Sequence, residues 1–168
     1  MNKAFIICGS PGSGKTTHGK KLAQELGAAF LDIDLSTERL VKLALTESGM
    51  DKDDRDSEYF KRTYRETIYQ TIFDIARENL LWTDVVIVGP FTRELRIEAW
   101  PEILECDLKS KIEIHYVYCK IDERYQRLIQ RKSKRDEAKL KDWKKFNDYF
   151  GEELPPTFEH IFIDTSSK

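Results

Sequence analysis

Cysteine is scarce in this chain. The 168 residues include three, at Cys8, Cys106 and Cys119, and no C-x-x-C pair. Three cysteines cannot form a fully paired disulfide framework, and this usage is typical of a reducing compartment. Cys8 and Cys119 fall at the ends of predicted strands, where packing in the core is the expected role. We therefore predict a cytoplasmic protein.

The chain also lacks an excess of positive or negative residues, and it lacks long apolar runs. Lys plus Arg number 28 against 30 for Asp plus Glu, so net charge attracts neither nucleic acid nor an anionic membrane, although a local patch could. The apolar runs are far too short to cross a bilayer. The first residues predict no signal peptide, and no repeat or linker divides the sequence. We predict one domain over residues 1–168 with no membrane partner.

A glycine-rich octet near the amino end is the strongest signal in the sequence. Gly9 to Thr16 fits G-x-x-x-x-G-K-[ST] without a mismatch. A short apolar stretch, 4–8, precedes it and a helical pattern, 17–27, follows, which is the strand, loop and helix order that the motif needs. Glycines let successive N–H groups point at one anion, and the helix N-terminus adds partial positive charge. The predicted nucleoside triphosphate site comprises Gly9, Ser10, Pro11, Gly12, Ser13, Gly14, Lys15, Thr16 and Thr17. In it Lys15 reaches the β- and γ-phosphates, and the Thr16 hydroxyl binds Mg²⁺.

Two acids end the second predicted strand, residues 28–34. Alternation along an extended strand places Asp32 and Asp34 on one side. Acids at strand ends in an α/β sheet face the ligand crevice, which favours a functional role. The plainer alternative is that Asp34 or Ser36 caps a helix that begins near Thr37.

Residues 36–82 are predicted to form an inserted helical region. Its pattern indicates a short helix, an acidic connection and a long helix that runs from Ser57 to about Leu81. Because this exceeds what one β-α-β connection requires, we expect the insert to bind the second substrate, with Arg55 as a contact. Arg93, just after the third strand (84–89), is a candidate for holding an anionic group, or an ordinary charge on a helix.

A basic stretch follows the fourth predicted strand, residues 111–119. The helix from 122 to about 131 carries Arg124, Arg127 and Arg131 on one stripe, and basic residues continue to Arg135. A solvated helix face is the simple alternative. The countercharge that a polyphosphate requires favours a lid over about 124–139.

A further helix through 140–150 and a fifth strand at 161–164 complete the predicted pattern. Strands that alternate with helices predict an α/β fold, a three-layer α/β/α sandwich around a five-stranded parallel sheet.

The octet together with Thr17 resembles the small P-loop kinases, which include nucleotide, shikimate and gluconate kinases and polynucleotide 5′-hydroxyl kinases. Segments 55–59, 89–94 and 131–143 resemble more closely a group of uncharacterised bacterial AAA-type ATP-binding proteins within that superfamily. The resemblance implies a P-loop NTPase fold of nucleotide-kinase type, with ATP and Mg²⁺ as cofactors.

The resemblance also implies roles for individual residues. Asp34 matches the acid that takes the proton from an acceptor hydroxyl, and Arg131 and Arg135 match lid arginines, either of which could contact the γ-phosphate. The third strand ends Val88-Gly89-Pro90 without a Walker-B acid. Asp32 could replace that acid by holding Mg²⁺ through water.

The leading hypothesis is thus an ATP-dependent phosphotransferase that acts on a hydroxyl of a small-molecule acceptor. A nucleotide-dependent regulatory ATPase without kinase activity is a second hypothesis. A polynucleotide 5′-hydroxyl kinase is a third, and the near-neutral charge balance counts against it. The acceptor, the choice between ATP and GTP, and the oligomeric state stay open.

Overall fold

The computed structural model describes residues 1–144 and 154–167, apart from the side chains of Arg135, Ala138 and Lys139. Within these residues five strands pair in parallel, in the order β2-β3-β1-β4-β5. The strands are β1 (Lys3–Cys8), β2 (Ala29–Asp32), β3 (Val85–Val88), β4 (Lys111–Tyr118) and β5 (Ile161–Asp164). The predicted five-stranded parallel sheet is confirmed.

Along the sequence the helices lie between the strands, as the crossover connections of a parallel sheet require. They are α1 (Lys15–Leu26), α2 (Ile33–Glu47), α3 (Glu58–Thr63), α4 (Arg65–Leu80), α5 (Trp100–Leu108), α6 (Ile121–Arg131) and α7 (Lys134–Lys141). A short 3₁₀ turn, Glu94–Arg96, follows β3. In the described part of the chain, no helix has the length and apolar character to span a membrane. The predicted helix of residues 140–150 falls largely outside the described residues.

The central strands are buried on both faces, which explains their nearly continuous apolar sequences. Alternate side chains of β1 point into two separate cores. Ile6 and Ile87 pack with Ile72 of α4 and Leu104 of α5 on one face. On the other face, the second core packs against α1. The sheet therefore has helices on both sides, which gives the predicted three layers.

The insert differs from the predicted pattern in its helix boundaries. Ser57 begins a helix as predicted, because its hydroxyl accepts from the Phe60 amide at 3.1 Å. The single long helix predicted from Ser57 to Leu81 is wrong: α3 ends at Thr63 and α4 begins at Arg65. Tyr64, whose φ of −117° departs from the helical value, separates them.

Candidate nucleotide and phosphoryl-acceptor site

The glycine loop lies between the end of β1 and the first turn of α1. Gly9, Gly12 and Gly14 have φ values of 134°, 80° and 94°, which are accessible to glycine and strained for other residues. A Cβ at Gly9 would lie 2.2 Å from the Val117 carbonyl oxygen, so space as well as conformation requires glycine there. The Lys15 Nζ donates to the Ser10 carbonyl at 2.8 Å across the loop. The loop therefore has the curved shape that an anion cradle needs.

Asp32 joins the first turns of two helices. Its Oδ2 accepts from the Thr16 hydroxyl at 2.9 Å, and its Oδ1 accepts from the amides of Asp34 and Leu35 at 3.0 and 3.1 Å. Asp32 is thus the N-cap of α2, so the capping alternatives Asp34 and Ser36 are wrong. The extended strand predicted to residue 34 is also wrong, because β2 ends at Asp32 and Asp34 lies in the first helical turn. Both carboxylates nevertheless reach the same cavity.

Asp34 forms an ion pair with Arg55, the residue of the acidic connection that we predicted to contact substrate. Arg55 Nη1 donates to Asp34 Oδ1 at 2.6 Å, and Arg55 Nη2 donates to the Thr37 hydroxyl at 2.8 Å. The Arg55 side chain is 14% exposed and that of Asp34 is 44% exposed. The pair therefore ties the connection between α2 and α3 to the first turn of α2, with the carboxylate on the solvent side.

A second ion pair, which the sequence did not reveal, connects α4 to the segment after β3. Both terminal nitrogens of Arg65 donate to the Glu94 carboxylate at 2.8 Å, and the Arg65 guanidinium lies 4.3 Å from the Tyr69 ring centre. Burial is the largest single influence on the pKa of Arg65 and lowers it, but the hydrogen bonds to Glu94, the charge of Glu94 and the contacts with Tyr69 together outweigh burial and raise the pKa overall. Burial also raises the pKa of the Tyr69 phenol. No local spacing pattern relates positions 65 and 94, so sequence reasoning had no signal for this pair.

Arg124 and Arg127, the first two arginines of the α6 stripe, lie in different environments. Arg124 is buried at 1% exposure, and a Cβ on Gly12 would contact its backbone. Arg127 donates to the Thr165 carbonyl at 2.6 Å, to the Thr165 hydroxyl at 2.9 Å and to the Gly12 carbonyl at 3.5 Å. These contacts fix α6 against the glycine loop and the segment after β5.

Arg131, the third member of the stripe, ends α6 and pairs with Asp136 of α7. Arg131 Nε and Nη2 donate to Asp136 Oδ2 at 2.8 and 2.5 Å. The side chain of Arg135 lies outside the described residues, so its predicted contact with phosphate stays a prediction. Arg93 is exposed and borders the cavity.

One cavity of about 730 Å³ brings most of the predicted site residues together. That volume lies in the range of small-molecule sites, about 300–1,000 Å³. The predicted residues that line it are Pro11, Gly12, Gly14, Lys15, Thr16, Thr17, Asp32, Asp34, Arg55, Arg93 and Arg131. Gly9, Ser10 and Ser13 belong to the same loop but are not in the wall. Apolar side chains of the insert, among them Phe60 and Ile68, form part of the same wall.

His115 is a buried residue of the sheet rather than part of the cavity wall. It is 5% exposed on β4, and its ring bonds to His18 of α1 at 2.8 Å and to Glu113 at 2.9 Å. His18 and His115 are absent from the cavity wall.

The sheet order and the glycine loop at a helix N-terminus define a protein of the small P-loop kinase superfamily. Within that class, the AAA_33 family, described as an AAA domain, matches residues 5–153. The chain belongs to this family.

Kinases are among the similar proteins. A shikimate kinase from Salinispora tropica is 42% identical over 52 residues, which are 31% of this chain and 31% of that protein. The chain spans between 31% and 39% of the length of the curated relatives that it matches. A sugar kinase from Janibacter sp. HTCC2649 has a TM-score of 0.54 at 18% identity, over 98% of this chain and 86% of that one. A gluconokinase from Sinorhizobium meliloti 1021 has a TM-score of 0.52 at 14% identity, over 99% and 84% of the two chains. At these identities the structural likenesses establish the fold alone.

Proposed function

We propose that this protein is an ATP-dependent phosphotransferase that moves the γ-phosphate of Mg·ATP to a hydroxyl of a small-molecule acceptor. The observation that carries the proposal is the cavity that joins the glycine loop to Asp34 and to arginines of other segments. Phosphoryl transfer needs positioning and charge neutralisation more than covalent chemistry by the protein, and this set of groups can supply both. The kinases among the relatives support the same reading.

The residues at the loop end of the cavity fit a magnesium ion. The Thr16 hydroxyl gives its one proton to Asp32, so its lone pairs remain for a cation. Mg²⁺ prefers oxygen ligands, keeps several waters and takes others from nucleotide phosphates. Thr16 would bind it directly and Asp32 through water. Bound there, the ion would neutralise charge on the β- and γ-phosphates during transfer.

Lys15 and the lid arginines would neutralise the rest of the triphosphate charge. Lys15 Nζ now bonds to the Ser10 carbonyl and would exchange that neutral acceptor for phosphate oxygens, which form stronger bonds with a cation. Arg131 or Arg135 would cover the transferring group, a role in which an arginine contributes about 10³–10⁵ in rate.

Asp34 would orient the acceptor hydroxyl and take its proton. As that oxygen bonds to the γ-phosphorus, the bond from the γ-phosphorus to the bridging oxygen breaks, and ADP leaves with that electron pair. Arg55, bonded to Asp34 at 2.6 Å, would hold the carboxylate in place. Arg55 and Arg93 would contact the acceptor.

The test is a screen for ADP release against sugar alcohols, nucleosides, amino alcohols, antibiotics and 5′-hydroxyl oligonucleotides. Lys15→Ala serves as the blank, and Lys20→Ala, an exposed lysine of the same helix, serves as the matched control. We expect one class of small acceptor to accelerate ADP release by wild type and Lys20→Ala, with no release by Lys15→Ala. Hydrolysis that only a macromolecular partner stimulates, without a phosphorylated product, would contradict the proposal.

A further inference from the structure

The ion pair between Arg131 and Asp136 connects α6 and α7 across the short turn that separates them. Arg131 is the last residue of α6, and Asp136 lies in the first turn of α7. Between them Lys132 has a φ of 50°, a left-handed conformation that ends α6. The pair is therefore the side-chain link that sets the direction of Arg131 relative to α7.

The α6 side of this link is fixed to the glycine loop. Arg127 bonds to Gly12 and Thr165, and the Thr165 hydroxyl donates to the Ser13 carbonyl at 2.7 Å. The backbone at the end of α6 is thus held relative to the loop. The direction of the Arg131 guanidinium is set in turn by its bonds to Asp136.

Among the residues that the structure describes, these bonds leave one edge of the guanidinium for a ligand. Arginine has five N–H donors in a rigid plane. Asp136 Oδ2 takes donors from Nε and Nη2, so the second N–H group of Nη2 and one N–H group of Nη1 point together along the adjacent edge. That edge has the spacing that binds two phosphate oxygens. Both side chains line the cavity.

The burial of Asp136 lowers the free energy of unfolding, so stability does not explain its position. The residue is 1% exposed, and within the described residues its Oδ1 has no hydrogen-bond partner. A buried polar atom without a partner destabilises a protein, and a buried ion pair is weak grounds for stability. An unsatisfied carboxylate oxygen in a cavity wall therefore indicates a functional role.

We propose that Asp136 is a positioning residue that holds Arg131 with its Nη1 edge towards the γ-phosphate. The Arg131–Asp136 pair then allows the site to distinguish a nucleoside triphosphate from a diphosphate. This inference rests on the proposed function, because a nucleotide has to occupy the cavity.

A double-mutant cycle on nucleotide affinity tests this role without knowledge of the acceptor. Calorimetry would give the ratio of Mg·ATP to Mg·ADP affinity for wild type, Arg131→Ala, Asp136→Ala and the double variant. We expect each single change to lower that ratio about 10- to 100-fold, the factor for one charged hydrogen bond. The double variant should lose no more than Arg131→Ala, because Asp136 acts through Arg131.

Two further variants distinguish positioning from a general loss of structure. Asp136→Asn keeps the shape and one acceptor oxygen, so it should fold and lose part of the ratio. Glu137→Gln, at an exposed carboxylate of the same helix, should leave the ratio unchanged.

An unchanged ratio in Asp136→Asn and Asp136→Ala, or losses that add in the double variant, would overturn the role of Asp136 and leave the proposed function intact. Equal affinity of the wild type for both nucleotides would do the same. A wild type that binds neither nucleotide would overturn both.

Discussion

Thr16 donates its hydroxyl proton to one oxygen of Asp32, and the other oxygen of Asp32 caps the helix that carries Asp34. One carboxylate therefore holds the first turn of α1 and the first turn of α2 in a fixed relation. In the proposed reaction the first of these turns binds the metal and phosphates, and the second binds the acceptor. The distance between donor and acceptor of the phosphoryl group thus depends on Asp32.

Two substitutions of Asp32 should separate its roles. Asp32→Ala removes the N-cap and should destabilise the protein by about 0.5–2 kcal/mol, whereas Asp32→Asn retains a capping oxygen and should cost less. Both should weaken the dependence of ATP binding on Mg²⁺, because the negative charge is lost. Urea unfolding and calorimetry with and without Mg²⁺ measure the two effects, and Ser36→Ala, an exposed change on α2, is the control. Normal Mg²⁺ dependence of ATP binding in Asp32→Asn would show that Asp32 does not help to hold the metal.

Asp34→Asn should bind Mg·ATP normally and transfer phosphate poorly. The amide keeps the size of the side chain but cannot take a proton, so we expect a loss of about 10²–10⁴ in kcat. Steady-state kinetics with the acceptor from the screen measure the loss, and calorimetry measures ATP affinity. Glu47→Gln, at the exposed far end of α2, is the control. Normal turnover by Asp34→Asn would show that another group accepts the proton.

Gly19→Ala should destabilise the protein even though alanine favours helix. The gain in helix propensity is about 1 kcal/mol. A Cβ at Gly19 would lie 2.5 Å from Val88 Cγ2, at the contact of α1 with β3, and overpacking of this kind costs about 1–3 kcal/mol. We expect the clash to prevail in urea unfolding, while Lys20→Ala on the exposed face of α1 should not destabilise. A Gly19→Ala variant as stable as wild type would mean that α1 can move off the sheet.

The stability of the protein should fall as pH drops from 7.5 to 5.5. Burial, with a smaller effect of His115, lowers the pKa of His18 below its ordinary value of 6.5. The folded state favours the neutral form of His18, so the contribution of His18 to the free energy of unfolding is fully present above about pH 6.5. At lower pH the unfolded chain binds the proton more readily than the folded chain, and this contribution is lost. His18→Gln, which removes the titrating ring, should flatten the dependence of the unfolding free energy on pH. Greater stability of wild type at pH 5.5 would contradict the sign.

Thiol labelling should divide the three cysteines by burial. Cys8 is fully buried, and burial raises the pKa of its thiol to about 12 despite the opposing charge of Lys15. Cys119 is also buried, whereas Cys106 is exposed. Because the thiolate is the reactive form, a charged thiol reagent at pH 8 should modify only Cys106 in the native chain. Labelling of Cys8 at the same rate would show that the sheet opens at the glycine loop.

Local patterns were sufficient for the elements that depend on neighbours in the sequence. The glycine octet predicted the loop and a helix after it, and the helical pattern was predicted to stop at residue 27, where Gly27 forms the C-cap of α1 with a φ of 62°. The apolar runs predicted the strands because buried parallel strands need them. The same reasoning failed at residues 33–34, where a strand pattern continues into a helix, because Asp32 satisfies the first amides of α2.

The sequence by itself determined the class of fold, the phosphate loop and the chemical types of the groups that follow each strand. Only the tertiary structure decided which of those groups meet: Asp32 with Thr16, Arg65 with Glu94, and Arg131 with Asp136. The physical reason is that backbone conformation is set mainly by nearby residues, whereas the partner of a charged side chain depends on how distant segments pack. Arg127 illustrates this difference, because the sequence predicted its place on a helical stripe but not its bonds to Gly12 and Thr165.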